Sequence, residues 1–156
     1  MSGLQEKSDI SASRKKTGVI LVIDDNAELL RLIRNILEID DHQVFTAEGG
    51  IEALAILAKI PPPDLILLDL RMEAMSGTEF LEILEEKMPT IIKNVPVVFL
   101  TGMDAVPVSR AVGVIQKPFD INEFLVKVER FIEMGVPPVF VQPNITQSPP
   151  EWPSNI

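Results

Sequence analysis

The chain is 156 residues long and 46% apolar, with 23 acidic against 14 basic side chains and a net charge of −9 at pH 7. This size and composition predict one soluble domain with a real core, and the acidic balance argues against a nucleic-acid partner. With no cysteine in the chain, disulfides and thiolate chemistry are excluded.

No apolar run is long enough to span a bilayer. The start, Met1–Ser8, has no apolar segment of the kind a secretory signal needs. A cytoplasmic protein without a membrane partner is therefore expected. Residues 1–17 are polar, with Arg14, Lys15 and Lys16 just before the first apolar run. They read as a flexible lead-in, a contact with membrane or nucleic acid being the weaker alternative.

Residues 18–134 read as one domain of alternating strands and helices. Val19–Ile23 is wholly apolar, as a strand covered on both faces must be. Ala27–Ile39 spaces Leu29, Leu30, Ile33, Ile36 and Leu37 as a helix does. Gln43–Ala47 is a short second strand. Gly50–Ile60 reads as a helix entered through Gly49-Gly50 and stopped by Pro61, Pro62 and Pro63. Asp64–Asp69 forms the third strand, Thr78–Met88 an amphipathic helix, and Val97–Leu100 the fourth strand. Gly102–Ala111 contains Pro107 and little amphipathic pattern, so one or two helical turns are expected at most. A fifth apolar run, Val112–Ile115, precedes the last helix. There Asp120 and Glu123 suggest a capping box, and Phe124, Leu125, Val128, Phe131 and Ile132 form the apolar stripe. Five βα units predict a doubly wound α/β sheet.

Residues 135–156 hold Pro137, Pro138, Pro143, Pro149, Pro150 and Pro153. That density opposes a helix or a central strand. A disordered tail or linker stub is expected, with a docking peptide anchored by Trp152 as the alternative.

In an open α/β fold, ligands bind outside the carboxyl ends of the strands. Asp24 and Asp25 follow the first strand, Asp69 ends the third, Thr101 follows the fourth and Lys117 the fifth. Taken alone, Asp24-Asp25 reads as a solvated turn before a helix. Thr101 alone reads as a cap, and Lys117 as a solvated surface residue. Together they describe three acids and one lysine at one sheet edge, where the repulsion calls for a cation. Oxygen ligands favour Mg²⁺, with Mn²⁺ a plausible substitute. Asp69, fixed at a strand tip, is the expected nucleophile. Thr101 and Lys117 are placed to stabilise charge on a transferring phosphoryl group. The step from Lys117 to Pro118 is a place where a cis bond would aim the amine inward.

These motifs resemble the receiver domain of two-component response regulators. The likeness covers residues 18–134 and rests on Val22-Ile23-Asp24-Asp25-Asn26, Leu67–Met72, Gly77, Leu100-Thr101-Gly102 and Lys117-Pro118-Phe119. It implies a flavodoxin-like fold with strand order 2-1-3-4-5 and five helices, and a phosphoryl group passed to Asp69 from a histidine kinase or histidine phosphotransfer protein. It further implies that Mg²⁺ is bound by Asp25, Asp69 and the backbone carbonyl of Arg71, with Asp24 acting through water. Thr101 and Lys117 would hold the phosphoryl group. Such a chain catalyses its own phosphorylation and slow dephosphorylation without being a conventional enzyme, and it signals to a protein target that the sequence does not name.

Three positions depart from the family pattern. Glu73 replaces a proline four beyond Asp69, Val114 replaces the aromatic residue three before Lys117, and the segment from Thr101 to Lys117 is several residues short. The fourth helix is therefore expected to be short or missing, and the chain to be a monomer or weak dimer. A phosphorylation-independent binding module is the alternative function. A Mg²⁺-dependent aspartyl-phosphate phosphohydrolase is more remote, because its second aspartate is here Arg71. His42 reads as a surface or loop residue, and Phe45, Phe80, Phe99, Phe124 and Phe131 as core. No phosphate-binding glycine motif occurs.

Overall fold

The computed structural model describes residues 17–103 and 105–137. The lead-in expected over 1–17 and the Pro-rich tail over 135–156 lie almost wholly outside the described residues. Five strands, β1 (Val19–Ile23), β2 (Gln43–Ala47), β3 (Leu65–Leu68), β4 (Val97–Thr101) and β5 (Gly113–Gln116), alternate with helices. The helices are α1 (Ala27–Ile39), α2 (Gly50–Leu57), α3 (Gly77–Lys87), α4 (Pro89–Asn94) and α5 (Ile121–Met134). All strand pairings are parallel, in the order β2-β1-β3-β4-β5.

The two-residue period of the strands divides the core. Leu21, Ile23, Ile66, Leu68, Val97 and Phe99 meet Ala53 and Leu57 of α2, Phe80, Leu81 and Leu84 of α3, and Ile91 and Ile92 of α4. Ile20, Val22, Leu65, Leu67, Val98, Leu100 and Ile115 face the opposite layer, built from Leu30, Ile33 and Leu37 of α1 and Phe124 and Val128 of α5. Burial on both faces is why β1 and β3 contain no polar residue. Phe80, Phe99 and Phe124 are fully buried, while Phe45 and Phe131 are half-buried at the margins of the two layers.

Helix ends follow local chemistry. Asn26 accepts from the Leu29 N–H at the start of α1. Asp120 accepts from the Glu123 N–H at the start of α5, one of the two bonds of the expected box. The full reciprocal box is found at Ser76 and Glu79, heading α3; such a cap contributes about 1 kcal/mol. The helix predicted over Gly50–Ile60 ends at Leu57, ahead of the three prolines. Helix α4 is not legible in the apolar spacing. Its Pro89 takes the first helical position, where the missing N–H costs nothing.

Between β4 and β5 the described residues form no helix, in keeping with the deficit of residues there. The fifth helix of the count is α4, which belongs to the β3–β4 connection. Met103, Val106 and Ala111 pack against the core layer that α2, α3 and α4 build on this side of the sheet. Arg110 ties the segment to α3 through Glu85 at 2.8 Å, and Val108 is fully exposed.

His42 lies in the loop between α1 and β2, but not at the surface as the other half of that expectation had it: it is 4% exposed, and its Nδ1 accepts the Gly18 N–H at 3.1 Å at the amino end of the sheet. Among the described residues, no helix is long and apolar enough to cross a membrane.

Candidate functional site

Parallel register brings the acidic residues together. Ile23 pairs with Leu68, so Asp24 and Asp69, one residue on, stand side by side at the carboxyl edge. Their backbones are fixed there, Asp24 N–H donating to Ala47 O and Asp69 N–H to Ile23 O. Thr101 pairs with Gln116, which puts Lys117 next to the threonine. The Lys117 N–H donates to Thr101 O, and the Lys117–Pro118 peptide is cis. Phe119 stacks on Phe124 with ring centroids 4.5 Å apart and anchors the turn under that step.

One carboxylate oxygen from each of Asp24, Asp25 and Asp69 lies within 4.8 Å of the other two. Asp24 and Asp69 are 1% and 7% exposed, whereas Asp25 is open to solvent. The Lys117 ammonium donates to Asp24 Oδ2 at 2.9 Å and stands 3.6 Å from Asp69 Oδ1. It therefore lies closer to Asp24 than to the expected nucleophile. Thr101 is 1% exposed, and its hydroxyl oxygen accepts the Met103 N–H at 3.2 Å. That leaves the hydroxyl proton free to donate. A cleft of about 530 Å³ opens beside these groups, lined by Asp69, Arg71, Thr101, Gly102 and Met103.

The electrostatics favour a cation. Three carboxylates against one ammonium leave two negative charges uncompensated. Burial raises the Asp69 pKa above its ordinary value and Asp24 raises it further, while Lys117 and the Arg71 backbone N–H act in the opposite direction. A hard divalent ion would remove that repulsion and keep Asp69 ionised. The donor set, oxygen only with one side open to solvent, fits Mg²⁺.

Two contacts in this region carry no sequence signal. Glu73 N–H donates to Asp25 Oδ2 at 3.0 Å, and Gln116 Nε2 donates to Met103 O at 3.2 Å. Both depend on how loops from different βα units approach one another. The role of Gly77 is equally tertiary: its N–H donates to Leu70 O, and a Cβ there would meet the Asp69 carbonyl oxygen at 2.6 Å.

The family model for the response regulator receiver domain matches residues 20–129. The chain belongs to that family. The receiver is 31% identical over 121 residues to sporulation initiation phosphotransferase F of Bacillus subtilis, covering 74% of this chain and 94% of that protein. It is 32% identical to part of histidine kinase P4 of Formosa agariphila, covering 78% of this chain but only 9% of the kinase. Response regulator protein TrrA of Thermotoga maritima, solved in complex with Mg²⁺-BeF, superposes with a TM-score of 0.61 at 27% identity. That match spans 72% of this chain and 96% of the other. Membership supports a phosphoacceptor role, and Val114, one of the departures expected from the sequence, is 39% exposed.

Proposed function

We propose that this receiver accepts a phosphoryl group on Asp69 from a histidine kinase or histidine phosphotransfer protein, in a Mg²⁺-dependent reaction in the cytoplasm. The observation carrying this reading is the convergence of Asp24, Asp25 and Asp69 within 4.8 Å, with Lys117 3.6 Å from Asp69. An Asp69 carboxylate oxygen attacks phosphorus as the bond to the donor's imidazole nitrogen breaks, and the imidazole leaves with the bonding pair. The cation, when bound, neutralises charge on the phosphoryl oxygens. Asp25, Asp69 and the Arg71 carbonyl are its proposed direct ligands. Asp24, already engaged by Lys117 and by the Asn26 N–H, acts through water. Lys117 moves from the carboxylates toward a phosphoryl oxygen, and the Thr101 hydroxyl donates to another.

The domain proper is residues 18–134, and the output is contact with a protein target by a monomer or weak dimer. Because Asp24, Asp25, Asp69, Thr101 and Lys117 are all present, phosphoryl chemistry is retained, while Val114 and a segment after β4 whose described residues form no helix alter its readout. Mass spectrometry after incubation with acetyl phosphate and Mg²⁺ tests the reading. The wild type should gain one phosphoryl group and Asp69→Asn none; an unmodified wild type, or an equally modified variant, would refute it.

A further inference from the structure

We infer that the backbone N–H of Glu73 is a positioning group for Asp25, holding that carboxylate in place for the divalent cation; the inference rests on the metal-binding reading above. Of the three clustered carboxylates, Asp24 and Asp69 are buried and held by their surroundings. Asp24 is bonded to the Asn26 N–H and to Lys117, and Asp69 is hydrogen-bonded by the Arg71 backbone. Asp25 is exposed, so an unrestrained side chain there would sample several rotamers. Its recorded hydrogen bond comes from Glu73, 48 residues away in sequence, at 3.0 Å.

That bond engages Oδ2. A carboxylate has about four lone-pair sites, so the other oxygen remains available to a metal while the N–H fixes the orientation of the group. It also joins the β1 tip to the β3–α3 loop, which carries Arg71 and its proposed carbonyl ligand. Two of the segments that would supply ligands to the cation are thus held to each other before any ion arrives. Only a residue with a backbone N–H can make this contact. Proline, which the family pattern places at this position, cannot. The departure at residue 73 therefore supplies a donor, in addition to the acidic side chain evident from sequence. Hydrogen bonds to metal ligands of this outer kind are typically worth about 10- to 100-fold in metal affinity.

The test is titration of the full chain with Mn²⁺, free ion counted by electron paramagnetic resonance, and with Mg²⁺ in competition, on wild type, Glu73→Ala and Glu73→Pro. Glu73→Ala keeps the N–H and loses one exposed charge, so its affinity should stay within about threefold of wild type. Glu73→Pro should bind roughly tenfold more weakly. A wild type that binds neither ion overturns the metal-binding reading itself. A wild type that binds, with a proline variant of equal affinity, overturns only the role of Glu73. So do equal losses in both variants, which would assign the effect to the side chain. If circular dichroism shows Glu73→Pro unfolded, hydrogen exchange of the wild-type Glu73 amide decides. An amide protected both without and with Mg²⁺ supports the inference, and one that exchanges freely in either state overturns it.

Discussion

Replacing Gly77 by alanine sets two effects of known sign against each other. Gly77 begins α3 with a negative φ, and alanine in a helix is favoured over glycine by up to about 1 kcal/mol. The added methyl, however, would lie 2.6 Å from the Asp69 carbonyl oxygen, 3.0 Å from Leu70 Cα and 3.2 Å from the Phe99 ring. The two nearest atoms are backbone, so no flexible side chain can swing aside. Overpacking of this kind costs about 1–3 kcal/mol, which should outweigh the propensity gain and leave a net loss of about 1–2 kcal/mol. The relief would come from movement of the chain at Asp69, so Mg²⁺-dependent labelling should slow as well, since small misplacements of a nucleophile are costly. Urea unfolding gives the stability change from the midpoint. Gly49→Ser, where a Cβ meets nothing within 4 Å, is the control and should shift stability by no more than about 0.5 kcal/mol. A Gly77→Ala protein as stable as wild type, labelled at the same rate, would refute the argument.

Two further outcomes follow from the site. Because Asp69 has a raised pKa in the folded, metal-free protein, first through burial and then through Asp24, the native state holds its proton more tightly than the unfolded chain does. Ionised Asp69 therefore destabilises the fold above the raised value, and the penalty disappears as pH falls through it toward the ordinary 3.8. Asp69→Asn should accordingly melt higher than wild type at neutral pH without metal and lose that advantage in acid, whereas Mg²⁺ should stabilise wild type more than the variant. Thermal melts at several pH values measure this, and a variant less stable than wild type at neutral pH without metal contradicts it. Arg71 and Met103 line the cleft beside Asp69 and Thr101, where their long side chains would crowd the approach of water to an acyl phosphate. Arg71→Ala combined with Met103→Ala should hydrolyse the phosphorylated form severalfold faster, and equal half-lives would remove the steric argument.

The sequence determined the parts that depend on local periodicity and on chain order. All-apolar runs such as Val19–Ile23 and Leu65–Leu68 identify doubly covered strands, and their alternation with amphipathic helices leaves little choice but a parallel sheet. That arrangement brings Asp24, Asp25, Asp69, Thr101 and Lys117 to one edge, because every strand points the same way. The shortage of residues between Thr101 and Lys117 likewise points to a short or missing helix, and the described residues there form none. What remained hidden depends on side chains and loops meeting from distant segments. His42 is buried where Gly18 comes within hydrogen-bond reach of it, α4 is a six-residue helix too short for apolar spacing to reveal, and Lys117 divides unequally between Asp24 and Asp69. The bond from Glu73 to Asp25 belongs to the same class. A backbone N–H is present at almost every position in a chain, so only the folded arrangement decides which one faces a carboxylate.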